Sequence, residues 1–211
     1  CTPTGWLQGN GLFETLRTVN GVVYAYSRHI ARAIKSAQIA QINLPDLEFV
    51  EQAVEAVLEA EPHPDGLLRI SFGSNDQWSV VHLPYHSHNK PARVRIHPDA
   101  LAPDSQMIKS YPYGHRLAIL EEAKLVGFDD ALVCNTDGNI CEGAVSNVMM
   151  SIDGRWVTPP TSDGTLPGIM RELVVEHFGV SIESISLSRI NEIRAAILLS
   201  SLRISQPVAS I

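Results

Sequence analysis

The chain has 211 residues, enough for one large domain or two small ones that share a site. With 45% apolar and 18% charged residues it can bury a core of ordinary size, and a formal net charge of −7 argues against a nucleic-acid binder, which needs a basic face. No apolar run approaches the ~18 residues of a membrane-spanning helix. Cys1, Cys134 and Cys141 have no metal-ligand spacing and cannot build a disulfide framework, so a reducing, cytoplasmic setting is expected. The first residue is Cys1 rather than Met and no signal-peptide pattern follows, so a trimmed N-terminus is the expectation.

In chain order, residues 10–26 read as two strands around a turn at Asn20-Gly21, a dipeptide suited to the positive φ values of a tight hairpin. Ser27 is the expected cap of a helix running to about Gln41, with Ile30, Ile34 and Ala37 on one face. Pro45 and Asp46 open a second helix in which Leu47, Val50, Val54, Val57 and Leu58 fall at helical spacing. Short strands are predicted over Leu67 to Phe72, Ser79 to Leu83 and Ala92 to Ile96. The polar segment HPDALAPDSQ at 97–106, with its two prolines, holds the expected linker, drawn at 99–106.

The second half has a different rhythm. A helix around 115–126 stops at Gly127, Asp130 to Cys134 is a strand, and 136–139 is a turn. Asn147 to Ile152 and Arg155 to Thr158 form a hairpin across Asp153-Gly154. Gly168 to Phe178 is a helix stopped by Gly179, and Ala195 to Ser200 is an apolar strand ending in two serines. The pattern implies an α/β (α+β) fold of two lobes, 1–98 and 107–211, joined by the linker.

Some residues suggest chemistry and do not carry it. His82, His86, His88 and His97 lie close together, but no acidic or cysteine partner is spaced with them, so no metal site is expected. Gly5, Gly9 and Gly11 do not sit between a strand and a helix as a dinucleotide site requires. Ser200-Ser201 lacks the flanking glycines of a nucleophile elbow.

Five stretches carry a specific resemblance. MIKSYPYG at 107–114 is followed by GFDDALVCNTDGNICEGAVSN at 127–147, with Asp137, Gly138, Glu142, Gly143 and Asn147 as its marked positions. LQGNGLFETLRTVNGVVYAYSRHIARAIKSA spans 7–37, TPPTSDGTLPGIMRELVVEHF spans 158–178 and LLSSLRISQPV spans 198–208. Together these resemble the class IV aminotransferase family, pyridoxal-phosphate enzymes of fold type IV, over nearly the whole chain. The resemblance implies a small N-terminal α/β lobe and a larger C-terminal mixed-sheet lobe. It also implies a pyridoxal 5′-phosphate cofactor, a small-molecule substrate and a homodimer.

The resemblance implies roles residue by residue, and each makes physical sense. Lys109 supplies the amine that forms the Schiff base with the cofactor. Glu142 faces the pyridine nitrogen and keeps it protonated, so that the ring can draw electrons. The phosphate falls to Arg32, to the backbone amides of Ile169 and Met170 at a helix N-terminus, and to Ser200 and Ser201. Taken singly, Lys109 is an ordinary surface lysine, Arg32 a solvated helix arginine and Glu142 a solvated strand-end carboxylate; the joint register is what singles them out.

The sequence also departs from the family. Asn10 stands where aspartate is common, the loop from Gly73 to Trp78 lacks an arginine to grip a substrate carboxylate, and Tyr113 lies four residues after Lys109, not five. Met170 and the Ser200-Ser201-Leu202 run resemble aminodeoxychorismate lyases, which release pyruvate and p-aminobenzoate. A branched-chain or D-amino acid aminotransferase is the alternative. A cofactor-binding protein without catalysis is disfavoured, because Lys109 and Glu142 are both present.

Overall fold

The structure is a computed structural model and describes residues 2–87, 90–102 and 108–211. Cys1, His88 and residues 103–106 of the expected linker lie outside the described residues. The chain divides into two compact units, Cys1–Ser87 with Ile108–Pro112, and His88–Met107 with Tyr113–Ile211. This division differs from the one drawn on sequence at 98 and 107. The strand over Ala92–Ile96 pairs within the second unit, and Ile108–Pro112 adds a short strand to the first. Polarity and prolines mark a loop, whereas strand pairing decides which unit a segment joins.

In the first unit, β1 (Gly11–Val19) turns through Asn20 and Gly21, at φ 49° and 78°, into β2 (Val22–Val23). These are the positive angles that an Asn-Gly hairpin accommodates. Helix α1 (Tyr26–Ala40) follows, and here the expectation fails: Ser27 does not cap it. The N-cap is Ala25, left-handed and without a side-chain bond. Gln41, also left-handed, closes the helix by donating its N–H to Ala37 O. For α2 (Leu47–Ala60), Asp46 is the cap as expected, accepting from the N–H of Glu48 at 3.0 Å. Then come β3 (Asp65–Gly73) and β4 (Trp78–Pro84). The sheet order is β2-β1-β3-β4, with all its pairings antiparallel.

Alternation along β1 assigns the two faces of this sheet. Leu16 packs with Leu68, Ile70 and Phe72 of β3, with Ala33 of α1 and with Val50 and Val54 of α2. Phe13 and Thr15 point the other way, opposite Ser71 and Arg69 in the β1–β3 register.

The second unit builds a nine-stranded mixed sheet. It contains β5 (Ala92–Ile96), after which the first unit takes its last strand, β6 (Ser110–Tyr111), onto β1. Helix α3 (Gly114–Leu125) leads through Gly127, at φ 89°, to β7 (Asp130–Cys134) and β8 (Asn139–Gly143). The hairpin β9 (Asn147–Ile152) and β10 (Arg155–Thr158) precedes α4 (Ile169–Phe178). Last are the short β11 (Ser181–Ile182) and β12 (Ile185–Ser186), then β13 (Ala195–Ser200) and β14 (Ile204–Ser210). The order is β11-β10-β9-β13-β14-β5-β7-β8-β12. Every residue of β7 is buried, as befits a strand covered on both faces. Leu132 and Cys134 join the cluster around Val148, Met150 and Leu198, while Ala131 and Val133 face Ile119, Leu120 and Ala123 of α3. Neither β8 nor β14 was predicted: β8 is broken by polar residues, and β14 carries Pro207.

None of the described helices is long and apolar enough to cross a membrane. The histidines of 82–97 form no group that could hold a metal ion among the described residues. His82 is instead a buried structural residue. Its Nδ1 donates to Glu61 O at 2.7 Å, which leaves Nε2 to accept the Thr18 hydroxyl at 2.7 Å. Burial pushes its pKa below the ordinary 6.5, and the nearby His63 ring adds to this. A lowered folded-state pKa means that the neutral ring favours folding. The contribution is present above about pH 6.5 and is lost as the pH falls through the lower folded value. Urea midpoints should therefore drop on acidification below about pH 6.5. The drop should be smaller in His82→Gln, and an equal drop in both proteins would remove His82 as its source.

Candidate active site

In the first unit the predicted residues lie against β1. The Lys109 Nζ stands 4.4 Å from the centroid of the Phe13 ring, and its carbonyl accepts from Phe13 N at 3.0 Å. β6 holds it there, pairing Tyr111 with Gly11 and Ser110 with Leu12. A Cβ on Gly11 would collide with Phe72 O and the Tyr111 hydroxyl, so glycine is what lets β6 lie this close. Trp6 packs edge-on to Phe13 at 4.7 Å, and the Arg69 guanidinium lies 4.2 Å over the Trp6 ring. Arg69 gives Nη1 to Thr4 O at 2.9 Å, whereas its Nε is buried and makes no hydrogen bond. Burial pushes the pKa of this guanidinium down.

Arg32 belongs to the opposite face of β1. Glu14, two residues before Leu16 and on the same side, is 2% exposed. Arg32 grips it with two parallel bonds, Nε to Oε1 at 2.9 Å and Nη2 to Oε2 at 2.6 Å, and His29 Nδ1 lies 2.6 Å from Oε2. The i, i+3 spacing of His29 and Arg32 on α1 brings both to one carboxylate. Burial raises the carboxyl's pKa, but the Arg32 charge and the His29 and Arg32 hydrogen bonds outweigh it and hold Glu14 at about 2.

In the second unit the predicted residues gather at one end of the sheet. Glu142, one residue before the end of β8, is almost buried, its side chain 9% exposed. Oε1 accepts from Arg116 Nη2 of α3 at 2.8 Å. Oε2 accepts from Asn147 Nδ2 and from the N–H of Leu166, each at 3.0 Å. Asn147 also donates to Leu166 O at 2.9 Å, which ties β9 to the loop before α4. Gly168 is the N-cap of α4 and provides no side-chain cap, so the first-turn amides at Ile169 and Met170 meet no capping side chain. Ile169 is buried, and Met170 packs with Leu199 and Val174. Leu199 pairs with Asn147 in the β13–β9 register, which sets Ser200 one residue beyond that pair. Ser200 Oγ accepts from Arg203 N at 3.1 Å. Arg203 in turn reaches Asp130, fully buried at the start of β7, at 2.6 Å, and fixes the turn that carries Ser201. Arg171 donates twice to Pro159 O, closing the 159–168 loop onto the helix it precedes.

This arrangement offers a half-buried amine in the first unit. In the second it offers a buried carboxylate of fixed orientation beside an uncapped helix N-terminus and two serines. An anion is welcome at such a terminus, and a carboxylate held this way can keep a proton on a neighbouring nitrogen base. The donors of the second unit suit an anionic ligand that also carries a basic nitrogen.

Residues 11–211 match the family model described as Amino-transferase class IV. The chain belongs to this family. A branched-chain-amino-acid aminotransferase candidate of Rickettsia bellii is 27% identical over 184 residues, covering 78% of this chain and 63% of that relative. A bifunctional aminodeoxychorismate lyase / D-amino acid transaminase of Mycobacterium tuberculosis is 26% identical over 199 residues, covering 81% and 69%. The crystal structure of a candidate 4-amino-4-deoxychorismate lyase from Legionella pneumophila superposes with a TM-score of 0.87 at 23% identity, over 95% of this chain and 82% of that one. It shares the two-sheet class IV fold. The chain thus spans less than two thirds of the Rickettsia relative.

Sequence reasoning singled out Lys109, Glu142, Arg32, Ile169, Met170, Ser200 and Ser201. It missed Arg116, Arg69 and the Arg203–Asp130 pair. Arg116 carries no periodic signal and finds Glu142 across 26 residues. Arg69 sits on β3, outside the 73–78 loop in which an arginine was sought.

The Glu14 cluster makes a testable demand on stability. Glu14→Gln should cost about 3–5 kcal/mol at neutral pH, because it leaves two buried basic groups without their anion. The depressed pKa works above the ordinary 4.5 and is lost as the pH falls towards about 2. Urea titrations should show that acid-side loss in the parent chain and a flatter profile in the variant. Parallel profiles would show that Glu14 is not held by this network.

Proposed function

We propose that this chain is a pyridoxal-phosphate enzyme and that it acts as an aminodeoxychorismate lyase. The observation that carries the cofactor reading is Glu142: a buried carboxylate oriented by three donors from α3, β9 and the loop before α4, beside the uncapped start of that helix. When bound, the cofactor takes up the electron pair released at the amine-bearing carbon of the substrate. Lys109 would hold the cofactor and would move the proton at that carbon. Glu142 holds a proton on the ring nitrogen. The amides of Ile169 and Met170 and the hydroxyls of Ser200 and Ser201 would bind the phosphate, with Arg32, whose Nε and Nη2 are held by Glu14, reaching it through Nη1. In the lyase reaction that proton is lost and the neighbouring ring C–O bond breaks, so that enolpyruvate leaves with the ether oxygen, takes up a proton to become pyruvate, and the substrate ring becomes aromatic. The products are p-aminobenzoate and pyruvate, and no oxidant is needed.

Support for the lyase comes from Met170 and the Ser200-Ser201-Leu202 turn, and from a lyase named among the relatives. One observation favours a second reading, an amino-acid transaminase. Arg69 is a desolvated guanidinium with a buried N–H that makes no hydrogen bond, on the same sheet face as Phe13 and Lys109. Such a group suits a substrate carboxylate. We further propose a cytoplasmic homodimer.

Borohydride treatment of the protein mixed with pyridoxal phosphate should fix the cofactor to the peptide containing Lys109, and Lys109→Ala should abolish both labelling and turnover. A label on any other lysine would sink the assignment. Supplied with aminodeoxychorismate, the loaded protein should release fluorescent p-aminobenzoate. If it releases none and instead converts amino acids to their keto acids, the transaminase reading replaces the lyase.

A further inference from the structure

We propose that Arg116 is a positioning residue that sets the orientation and proton affinity of Glu142; this rests on the pyridoxal-phosphate reading above. The two oxygens of Glu142 are held from two sides. Oε2 takes neutral donors, Asn147 Nδ2 and Leu166 N, each at 3.0 Å. Oε1 takes the Arg116 guanidinium at 2.8 Å. The neutral donors anchor one end of the carboxylate, and the cation fixes its rotation about that anchor.

Arg116 does this at a cost. Its side chain is 23% exposed, yet its Nη1 is buried without a hydrogen bond. A buried ion pair is weak evidence for stability, and an unsatisfied donor makes it weaker still. What the pair does supply is a cation in direct contact with the carboxylate. An opposite charge in contact disfavours protonation of the carboxylate. A proton shared between Glu142 and a ring nitrogen therefore stays on the ring, which is the charge state that stores electrons. Without the guanidinium, the carboxylate can rotate and compete for that proton.

The apo protein gives the first test, by following the Glu142 carboxyl carbon with 13C NMR across acid pH. Arg116→Gln should raise its acid midpoint, increasing its proton affinity by about tenfold. Arg116→Lys, which keeps the charge and guards against a general loss of fold, should restore most of the parent value. The loaded protein gives the second test, the pH midpoint of the bound cofactor's visible absorbance. It should shift upward in Arg116→Gln, and no further shift should follow when Arg116→Gln is added to Glu142→Gln. An unchanged apo midpoint in Arg116→Gln overturns the inference and leaves the cofactor reading standing. A parent protein that takes up no pyridoxal phosphate overturns the cofactor reading and the inference with it.

Discussion

A carboxylate removed from water must be met by donors, and the architecture of both units is arranged around that demand. Glu14, Asp130 and Glu142 have side chains 2, 0 and 9% exposed, and each faces an arginine: Arg32, Arg203 and Arg116. The acid sits on a strand in every case, and the arginine arrives from a helix or a turn. Desolvation alone would push Glu14 towards neutrality, and the Arg32 charge with the His29 and Arg32 hydrogen bonds outweighs it, holding the carboxyl at about 2. The pairs also fix geometry, because a two-pronged or multiply bonded carboxylate tolerates little rotation. Arg32 binds α1 to β1, Arg203 binds the turn after β13 to β7, and Arg116 binds α3 to β8.

Asp130 shows how far one such acid reaches. Oδ1 accepts from the amides of Ala131 and Ala144, and Oδ2 accepts from Ser146 Oγ and Arg203. It therefore governs the 143–146 turn and the 200–203 turn together. The first turn directs Glu142 and Asn147, and the second presents Ser200 and Ser201. One buried aspartate, not itself a candidate for contact with a ligand, thus sets two groups of candidate residues at once. That is the economy of building a site on strand ends: neighbouring strands in register deliver residues that are distant in sequence.

What could be read from the sequence follows from how local each signal is. Asn20-Gly21 and Asp153-Gly154 announce their hairpins because the turn geometry needs those residue types. Asp46 announces α2 because a side-chain oxygen can cap the helix two residues on. Lys109 and Glu142 were singled out through motif register. Ser27 misled because α1 is entered through a left-handed Ala25, a backbone conformation that no capping residue signals. The assignment of β5 and of 108–112 to units could not be read locally, because it is fixed by partners on β14, β7 and β1. The arginines were missed for the same reason: Arg203 meets Asp130 across 73 residues.

The dependence among these residues runs in one direction, and a glycine stands at its start. A Cβ on Gly168 would run into Asn147 Oδ1, so only glycine lets the Asn147 amide lie against the start of α4. From there Asn147 can give one amine to both Glu142 and Leu166 O. Leu166 returns its own N–H to Glu142, so strand, loop and carboxylate close a ring of hydrogen bonds. Within that ring every donor is neutral, and neutral donors fix position more than charge. The charge comes from outside it, from Arg116 on a helix that packs against the sheet through Ile119, Leu120 and Ala123. The neutral donors around one carboxylate and the charge that faces it thereby come from separate elements, β9 and the loop before α4 on one side and α3 on the other.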